Sequence, residues 1–367
     1  MIAGLLTLLA AVPVAGLAAA PAAAAGPPPA AASPSSPAAD AVAFSPDGTL
    51  VAAGYGDGTV RLWVTATGAE RGPALRAGSG PVTAVAFSPD GAMVAGADAD
   101  GTIVRWNPAT GAAIGPPLRA ASGVRDIAFS PDGTLLASAG ADGGVTLWHV
   151  ATGQVSGQLV RLSPDHAGGV TGVAFSPDGN LLAAAYGDGT IVRWDPVTGQ
   201  RAGPPLQASS GVRGVAFSPD GEFLASADAD GGVTLWTAAT GLLYGPVLRS
   251  GSAGGLTGVA FSPDGTLLAA AYGDGTVRLW NPAAGQPARS PLQASSGVNG
   301  VAFGPGGKLA TAGANGAVTV WNTAGAAPGR SVRDWIVLVG AVLALALAAA
   351  AVAVTTREIW PGNPGRT

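Results

Sequence analysis

One phrase recurs seven times along this chain. Phe-Ser-Pro-Asp-Gly is followed by an Asp-Gly pair and, five residues after that second glycine, by Trp. The runs begin at Phe44, Phe87, Phe129, Phe175, Phe217, Phe261 and, in altered form, Phe303; they end at Trp63, Trp106, Trp148, Trp194, Trp236, Trp280 and Trp321. A repeat of 41–46 residues with two tight turns and a closing Trp marks a radial all-β array. A single small sheet cannot bury both its faces, whereas units stacked about an axis can.

Each unit divides into three clear strands and a weaker fourth. Val42-Ala43-Phe44 is apolar and leads into Pro46-Asp47-Gly48, where Pro presets one turn dihedral and Gly accepts positive φ. Leu50 to Gly54 reads as the second strand and Thr59 to Trp63 as the third. Asp57-Gly58 between them reads as a two-residue type I′ hairpin, which needs positive φ at both central positions. Ala74-Leu75-Arg76 and Pro117-Leu118-Arg119 exemplify the fourth strand. A longer period lies above this one: Trp106 to Trp194 is 88 residues, as is Trp148 to Trp236. Copying of a two-blade unit explains that likeness without any functional demand.

On these residues the chain resembles the WD40-repeat β-propeller family. The resemblance implies an all-β, seven-bladed propeller over residues 40–325. The departures are informative. Trp-Asp survives only at Trp194-Asp195, and the His expected nine residues before the Phe survives only at His166. Gly78, Ala120, Ala208, Ser252 and Ala294 replace it in other blades. The family network joins that His to the hairpin Asp, a strand Ser or Thr, and the Trp. The resemblance therefore implies a contact of His166 with Asp188, near Trp194; elsewhere the hairpin Asp is expected to act as a turn residue.

The ends of the chain differ from the repeats. Trp335 to Val354 is an uncharged apolar run of twenty residues, flanked by Arg333-Asp334 and Arg357-Glu358. That length matches the hydrocarbon layer of a bilayer and predicts a transmembrane helix in contact with lipid. Residues 1–25 are also uncharged and apolar, with small residues suited to signal-peptidase cleavage but without a positive n-region. They read as a signal peptide or an uncleaved anchor. Residues 26–39, rich in Pro, Ala and Ser, read as a disordered linker. The expected arrangement is a membrane protein with its propeller outside the cytoplasm and the short tail 355–367 inside.

Composition narrows the chemistry. The net charge is −4 and Lys/Arg runs are absent, which gives no footing for nucleic acid. The chain has no cysteine, so disulfides, thiol catalysis and Cys-ligated metal are excluded. Its two histidines, His149 and His166, lie in different repeats. No nucleophile–base pair or metal-ligand spacing is visible, and no cofactor is expected. The Asp98-Ala99-Asp100-Gly101 and Asp228-Ala229-Asp230-Gly231 hairpins resemble calcium loops but lack further oxygen ligands at loop spacing.

A recognition face remains. In the family, the loops entering strand one and the strand-two/three hairpins share one end, where partners dock. The resemblance places there the residues four before each Phe: Asp40, Thr83, Arg125, Thr171, Arg213, Thr257 and Asn299. It adds those two before the hairpin Asp or Asn, among them Tyr55, Asp98, Tyr186, Asp228 and Tyr272. Exposed Tyr and Arg are enriched among interface hot spots, though solvated loop residues and stacking tyrosines are the plainer reading. The expectation is a non-enzymatic interaction scaffold with an unidentified protein partner. A ligand-binding or enzymatic propeller using an axial channel with Asp126, and a detached sensor module of a signalling protein, are the competing readings. Two structural expectations follow. Residues 29–35 are the candidate to edge the last blade. Arg105 and Arg193, on a buried strand face, must reach solvent or a carboxylate.

Overall fold

The structure is a computed structural model that describes residues 37–156, 160–161, 168–251 and 254–323. Within them seven antiparallel sheets follow one another in chain order. Blade 1 comprises Ala39–Phe44, Leu50–Tyr55, Thr59–Val64 and Leu75–Arg76, each strand paired with the next. Blades 2 to 6 repeat the plan, and blade 7 has three strands among the described residues, Val298–Gly304, Lys308–Gly313 and Val318–Asn322. The first strand of every blade lies beside those of both neighbours, and that of blade 7 lies beside that of blade 1. Seven first strands thus close around an axis, as expected for a seven-bladed propeller. The segments expected to edge blade 7, residues 29–35, and residues 324–332 lie outside the described residues, as do the two hydrophobic ends.

The turn after each first strand explains the Ser-Pro-Asp-Gly repeat. Gly48 takes φ 67°, open to glycine at little cost, and its N–H donates to the Ser45 carbonyl at 2.8 Å. The Ser45 hydroxyl donates to Asp47 Oδ1 (2.6 Å) and accepts from the Leu50 N–H (2.9 Å). Asp47 Oδ1 also accepts the Thr49 N–H at 3.0 Å. The same serine–aspartate lock recurs at Ser88, Ser130, Ser176, Ser218 and Ser262.

The hairpin between the second and third strands is not type I′. Positive φ falls on Gly58 alone, not on Asp57, and the Gly58 N–H donates to the Tyr55 carbonyl at 3.1 Å. This is a type I turn followed by a left-handed glycine. The cause is the aspartate: Asp57 Oδ1 accepts the Thr59 N–H at 3.0 Å, a local closure that spares a Cβ-bearing residue the left-handed region. As expected, the hairpin aspartate is a turn residue here.

Blades are joined by apolar clusters, each shared by two neighbours. Trp106 packs with Val60 and Leu62 of blade 1, Trp194 with Val145 and Leu147 of blade 3, and Trp280 with Val233 and Leu235 of blade 5. Every repeat's Trp therefore closes onto the blade before it. Fourth strands are only two residues long, as at Leu118–Arg119 and Leu206–Gln207. Prolines just before them, Pro116-Pro117 and Pro204-Pro205, remove ladder donors at the outer edge.

Arg105 and Arg193 are sealed but not unpaired, with carbonyl partners in place of solvent or a carboxylate. They are 3% and 1% exposed and meet neither solvent nor a carboxylate. Each reaches across to the next blade instead. Arg105 Nη1 donates to the Val150 carbonyl at 2.6 Å, and Arg193 Nη1 to the Ala238 carbonyl at 2.5 Å. Backbone oxygens at an outer loop carry enough partial charge to hold a guanidinium that has no counter-ion. Burial lowers both pKa values from their ordinary range.

Two outcomes follow. Leucine stands at the Arg193 position in blades 1, 3, 5 and 6, so Arg193→Leu should unfold within about 1.5 kcal/mol of the parent. Arg193→Ala should cost about 2–4 kcal/mol by leaving a cavity. Urea titration distinguishes them, and a leucine variant as weak as the alanine one would contradict this account. The second concerns acid. Ser45, Ser88, Ser130, Ser176, Ser218 and Ser262 hold the carboxyls of Asp47, Asp90, Asp132, Asp178, Asp220 and Asp264 below the usual range. Their contribution is complete above the unfolded value of about 3.9 and is lost as pH falls through the lower folded values. The thermal midpoint should fall as pH drops below about 4; a profile flat from about pH 4 down to about pH 2 would refute the lock.

Candidate interaction face

The end of the ring that carries the hairpins also carries the loops entering the first strands. Ser79, in the loop entering blade 2, donates to Asp100 of that blade's hairpin at 2.8 Å, and Ser122 donates likewise to Asp142 at 2.9 Å in blade 3. The residues four before each Phe sit at this end, but within the first strand rather than in a loop. Each is the extra residue of a β-bulge. Pairing skips from Ala39 to Ala41, Val82 to Ala84, Val124 to Asp126, Val170 to Gly172, Val212 to Gly214, Leu256 to Gly258 and Val298 to Gly300. A bulge re-aims one side chain out of the alternation. Asp40, Thr83, Arg125, Thr171, Arg213, Thr257 and Asn299 are those seven side chains.

Most of them are spent on the ring itself. Thr83 donates to Ala97 O of its own blade (3.2 Å) and, by its alternative rotor, to Val124 O of blade 3 (2.7 Å). Thr171 meets Ala185 O (3.1 Å) and Val212 O of blade 5 (2.7 Å), and Thr257 donates to Ala271 O at 3.0 Å. Asn299 Nδ2 donates to Ala39 O (3.1 Å) and Asp40 Oδ1 (3.0 Å), tying blade 7 to blade 1. Burial raises the Asp40 carboxyl, and the Asn299 amide partly opposes that. Arg125 Nη1 donates to Gly168 O at 2.6 Å, across to blade 4, and is otherwise exposed. Arg213 is exposed and, among the described residues, has no hydrogen-bond or ion-pair partner.

The second set does not reach the surface. Tyr55, Tyr186 and Tyr272 are at most 2% exposed, and Asp98 and Asp228 are fully buried. The reason is position: these residues close the second strand, which neighbouring blades cover on both faces. Tyr186 OH donates to Gly143 O at 3.4 Å and Tyr272 OH to Gly231 O at 3.2 Å, each in the hairpin of the preceding blade. Burial pushes the Tyr55 hydroxyl up to about 12 and raises Tyr186 and Tyr272 as well.

Asp228 belongs to a polar network in blade 5. It accepts from Ser226 Oγ (2.9 Å) and Thr234 Oγ1 (2.6 Å), and Trp236 Nε1 donates to Ser226 Oγ at 3.1 Å. Trp148 and Trp321 keep the same arm, to Ser138 (2.9 Å) and Thr311 (3.2 Å). Blade 2 has Gly96 and Val104 where blade 5 has Ser226 and Thr234. Asp98 turns instead to the N–H groups of Asp100 (3.0 Å) and Thr102 (2.7 Å). A Cβ at residue 78 would lie only 1.8 Å from Asp98 Oδ2, so the glycine that replaces the family's His leaves the space this carboxylate fills. His166 and its expected contact with Asp188 lie outside the described residues; Asp188 Oδ1 accepts the Thr190 N–H at 2.9 Å.

With seven such blades, seven closing tryptophans and the Trp–Ser arm on the page, the family follows. Models of the WD domain, G-beta repeat match residues 35–64, 73–107, 117–149, 157–195, 204–237, 245–281 and 285–322. The chain is a WD40-repeat protein. Propellers of the WD40 family are commonly protein-interaction scaffolds. No curated protein is similar enough to this WD40 chain to count as a match.

Near the axis, Asp126 stands where the other blades carry Ala41, Ala84, Gly172, Gly214, Gly258 and Gly300. Its oxygens accept the N–H of Ile127 (2.9 Å) and, across the joint, of Val173 in blade 4 (2.9 Å). Two open cavities, of about 350 and 490 Å³, lie away from this position. They sit by the turns and outer loops of blades 2 and 3, lined by residues such as Ser88, Met93 and Pro131 or Thr134 and His149. Among the described residues no group of three His, Cys, Asp or Glu is placed to hold a metal.

Asp126 gives a pH signature opposite in sign to that of the turns. Burial pushes its carboxyl up to about 6, against the two N–H donors. The folded chain keeps the proton over a window, about pH 4–6, in which the unfolded chain has lost it, so ionisation costs stability as pH rises through that window. Asp126→Asn should flatten the fall in unfolding free energy expected for the parent between about pH 4 and pH 7. An unchanged slope in the variant would show that another group is responsible.

Proposed function

We propose that this protein is a non-enzymatic interaction scaffold tethered to a membrane, with its propeller on the extracytoplasmic side. Its partner docks on the hairpin end of the ring. The observation that carries the docking face is the row of bulges: one strand position in every blade turns a side chain toward the same mouth, and two of these, Arg125 and Arg213, stay exposed. The tether rests on sequence. Among the described residues no helix is long and apolar enough to cross a membrane, and the apolar run Trp335 to Val354 lies outside them. The third strand of blade 7 ends at Asn322, so about a dozen residues separate the ring from that run. A linker of that length holds the ring near the bilayer.

Two measurements test this reading. The full chain should stay in the membrane pellet after alkaline carbonate washing, and deletion of residues 335–354 should release it. Protease added to intact cells should remove the propeller. Protection until lysis would overturn the extracytoplasmic side alone. For the face, a photo-crosslinker at position 213 should give a discrete adduct and one at position 220, on the opposite end, none. Adducts from position 220 alone would move the docking site to the turns.

A further inference from the structure

The seven bulge side chains are not equal in what they have left to offer. Thr83, Thr171 and Thr257 give their single hydroxyl proton to backbone carbonyls, and Asn299 and Asp40 hold each other. Arginine carries five N–H donors. Arg125 uses one set on Gly168 O, and Arg213 uses none among the described residues. The exposed side chains of this inner row, Arg125 and Arg213, therefore offer donors only, and both are cationic. It stands on blades 3 and 5, on either side of blade 4.

The ground between the two arginines favours an extended chain. Blade 4 presents Thr171, already closed on the ring, and then Gly172. On blade 5, a Cβ built at Gly214, next to Arg213, would meet nothing within 4 Å. Gly214 therefore leaves its backbone open to close approach by a ligand, whereas the space at Gly172 is taken by the Gly214 backbone. Among the described residues no carboxylate of the row pairs with either arginine. Asp126 is bound to the N–H groups of Ile127 and Val173, and Asp40 lies on blade 1 beside Asn299. The hairpin carboxylates stand farther out along the blades and are engaged: Asp100 with Ser79, Asp142 with Ser122, and Asp230 with Arg249 at 2.8 Å.

We propose that the segment recognised at this mouth is an acidic peptide, with carboxylates taken by Arg125 and Arg213 across blade 4. This deepens the docking reading above and rests on it. Guanidinium–carboxylate pairs are the strong, directional hydrogen bonds, and arginine forks match the planar acid. Long-range attraction plays no part, because the chain as a whole is negative at −4. Selection is local to the two side chains.

The test uses the full chain in detergent and a fluorescein-labelled oligo-glutamate of about ten residues, read by anisotropy at low and high salt. Oligo-glutamate should bind, more weakly as salt rises, and oligo-lysine should not. Arg125→Glu and Arg213→Glu should each weaken binding about tenfold or more, and the double variant should abolish it. Arg71→Glu makes the same charge change at an exposed site on the outer edge of blade 1 and should leave binding unaltered. No preference for glutamate over lysine, or equal loss in Arg71→Glu, would overturn the proposal. So would binding of phosphatidylserine vesicles in place of the peptide. An adduct at position 213 that oligo-glutamate does not displace would leave the docking face standing and remove only the acidic choice. Both arginines are exposed, so circular dichroism of each variant should match the parent.

Discussion

Blades in this ring lie face to face, and the second strand of each is covered on both sides. Leu50–Tyr55, Val94–Asp98, Leu182–Tyr186 and Leu268–Tyr272 are buried at every residue. Toward the axis the wedge between blades narrows, so these strands read Ala-Ala-Gly, Ala-Gly-Ala or Ala-Ala-Ala. The tolerance is small. A Cβ at Gly54 would lie 2.4 Å from Val82 of the next blade, and one at Gly96 would lie 2.7 Å from Val60 of the blade before. Farther out, where the wedge widens, the tryptophans fill it. The charged fraction of 11% follows from the same geometry, because so much of each sheet has no access to water.

Close packing makes polar groups in the wedge expensive unless they find partners. The chain uses several solutions side by side. Blade 5 satisfies Asp228 with Ser226 and Thr234; blade 2, lacking both, turns Asp98 to its own hairpin N–H groups. Tyr186 and Tyr272 keep their rings buried and send only the hydroxyl across to a hairpin carbonyl. Arg105 and Arg193 do the same at the outer loops with a full charge. Residues that look chemical in a linear reading are in large part the means by which blades hold together. The recognition surface is what remains after those bonds are counted.

The fold was legible because its signal repeats and because it is written in turns. Ser45, Pro46, Asp47 and Gly48 have local jobs that do not depend on the rest of the chain, so composition reveals them. The candidate face was harder to read. Asp40, Arg125 and Arg213 were found by their distance from the Phe, but their place on a bulge was hidden. The only trace is a polar residue followed by Ala, Gly or Asp where alternation calls for a large apolar one. Tyr55, Tyr186 and Tyr272 look exposed beside a Gly-Asp-Gly turn, because no local pattern reports the blade that covers them. The partners of Arg105 and Arg193 could not be read at all: a backbone carbonyl 45 residues away leaves no mark on residue identity.

The joints between blades carry one further consequence. From blade 2 to blade 3 the tie is Arg105 to Val150; from 3 to 4 it is Tyr186 to Gly143; from 4 to 5, Arg193 to Ala238; from 5 to 6, Tyr272 to Gly231. Two kinds of seam alternate, in step with the 88-residue period. What was copied was thus a pair of half-joints as much as a pair of blades, and each new copy arrived already fitted to the last. Seven is odd, and strict alternation cannot tile an odd ring. Among the described residues neither tie recurs at the joints of blades 1 and 2, 6 and 7, or 7 and 1, and blades 7 and 1 meet by a third device, Asn299 on Asp40 and Lys308 on Gly48. Growth by pairs extends an alternating run of seams but leaves an odd ring to be closed by joints of another kind.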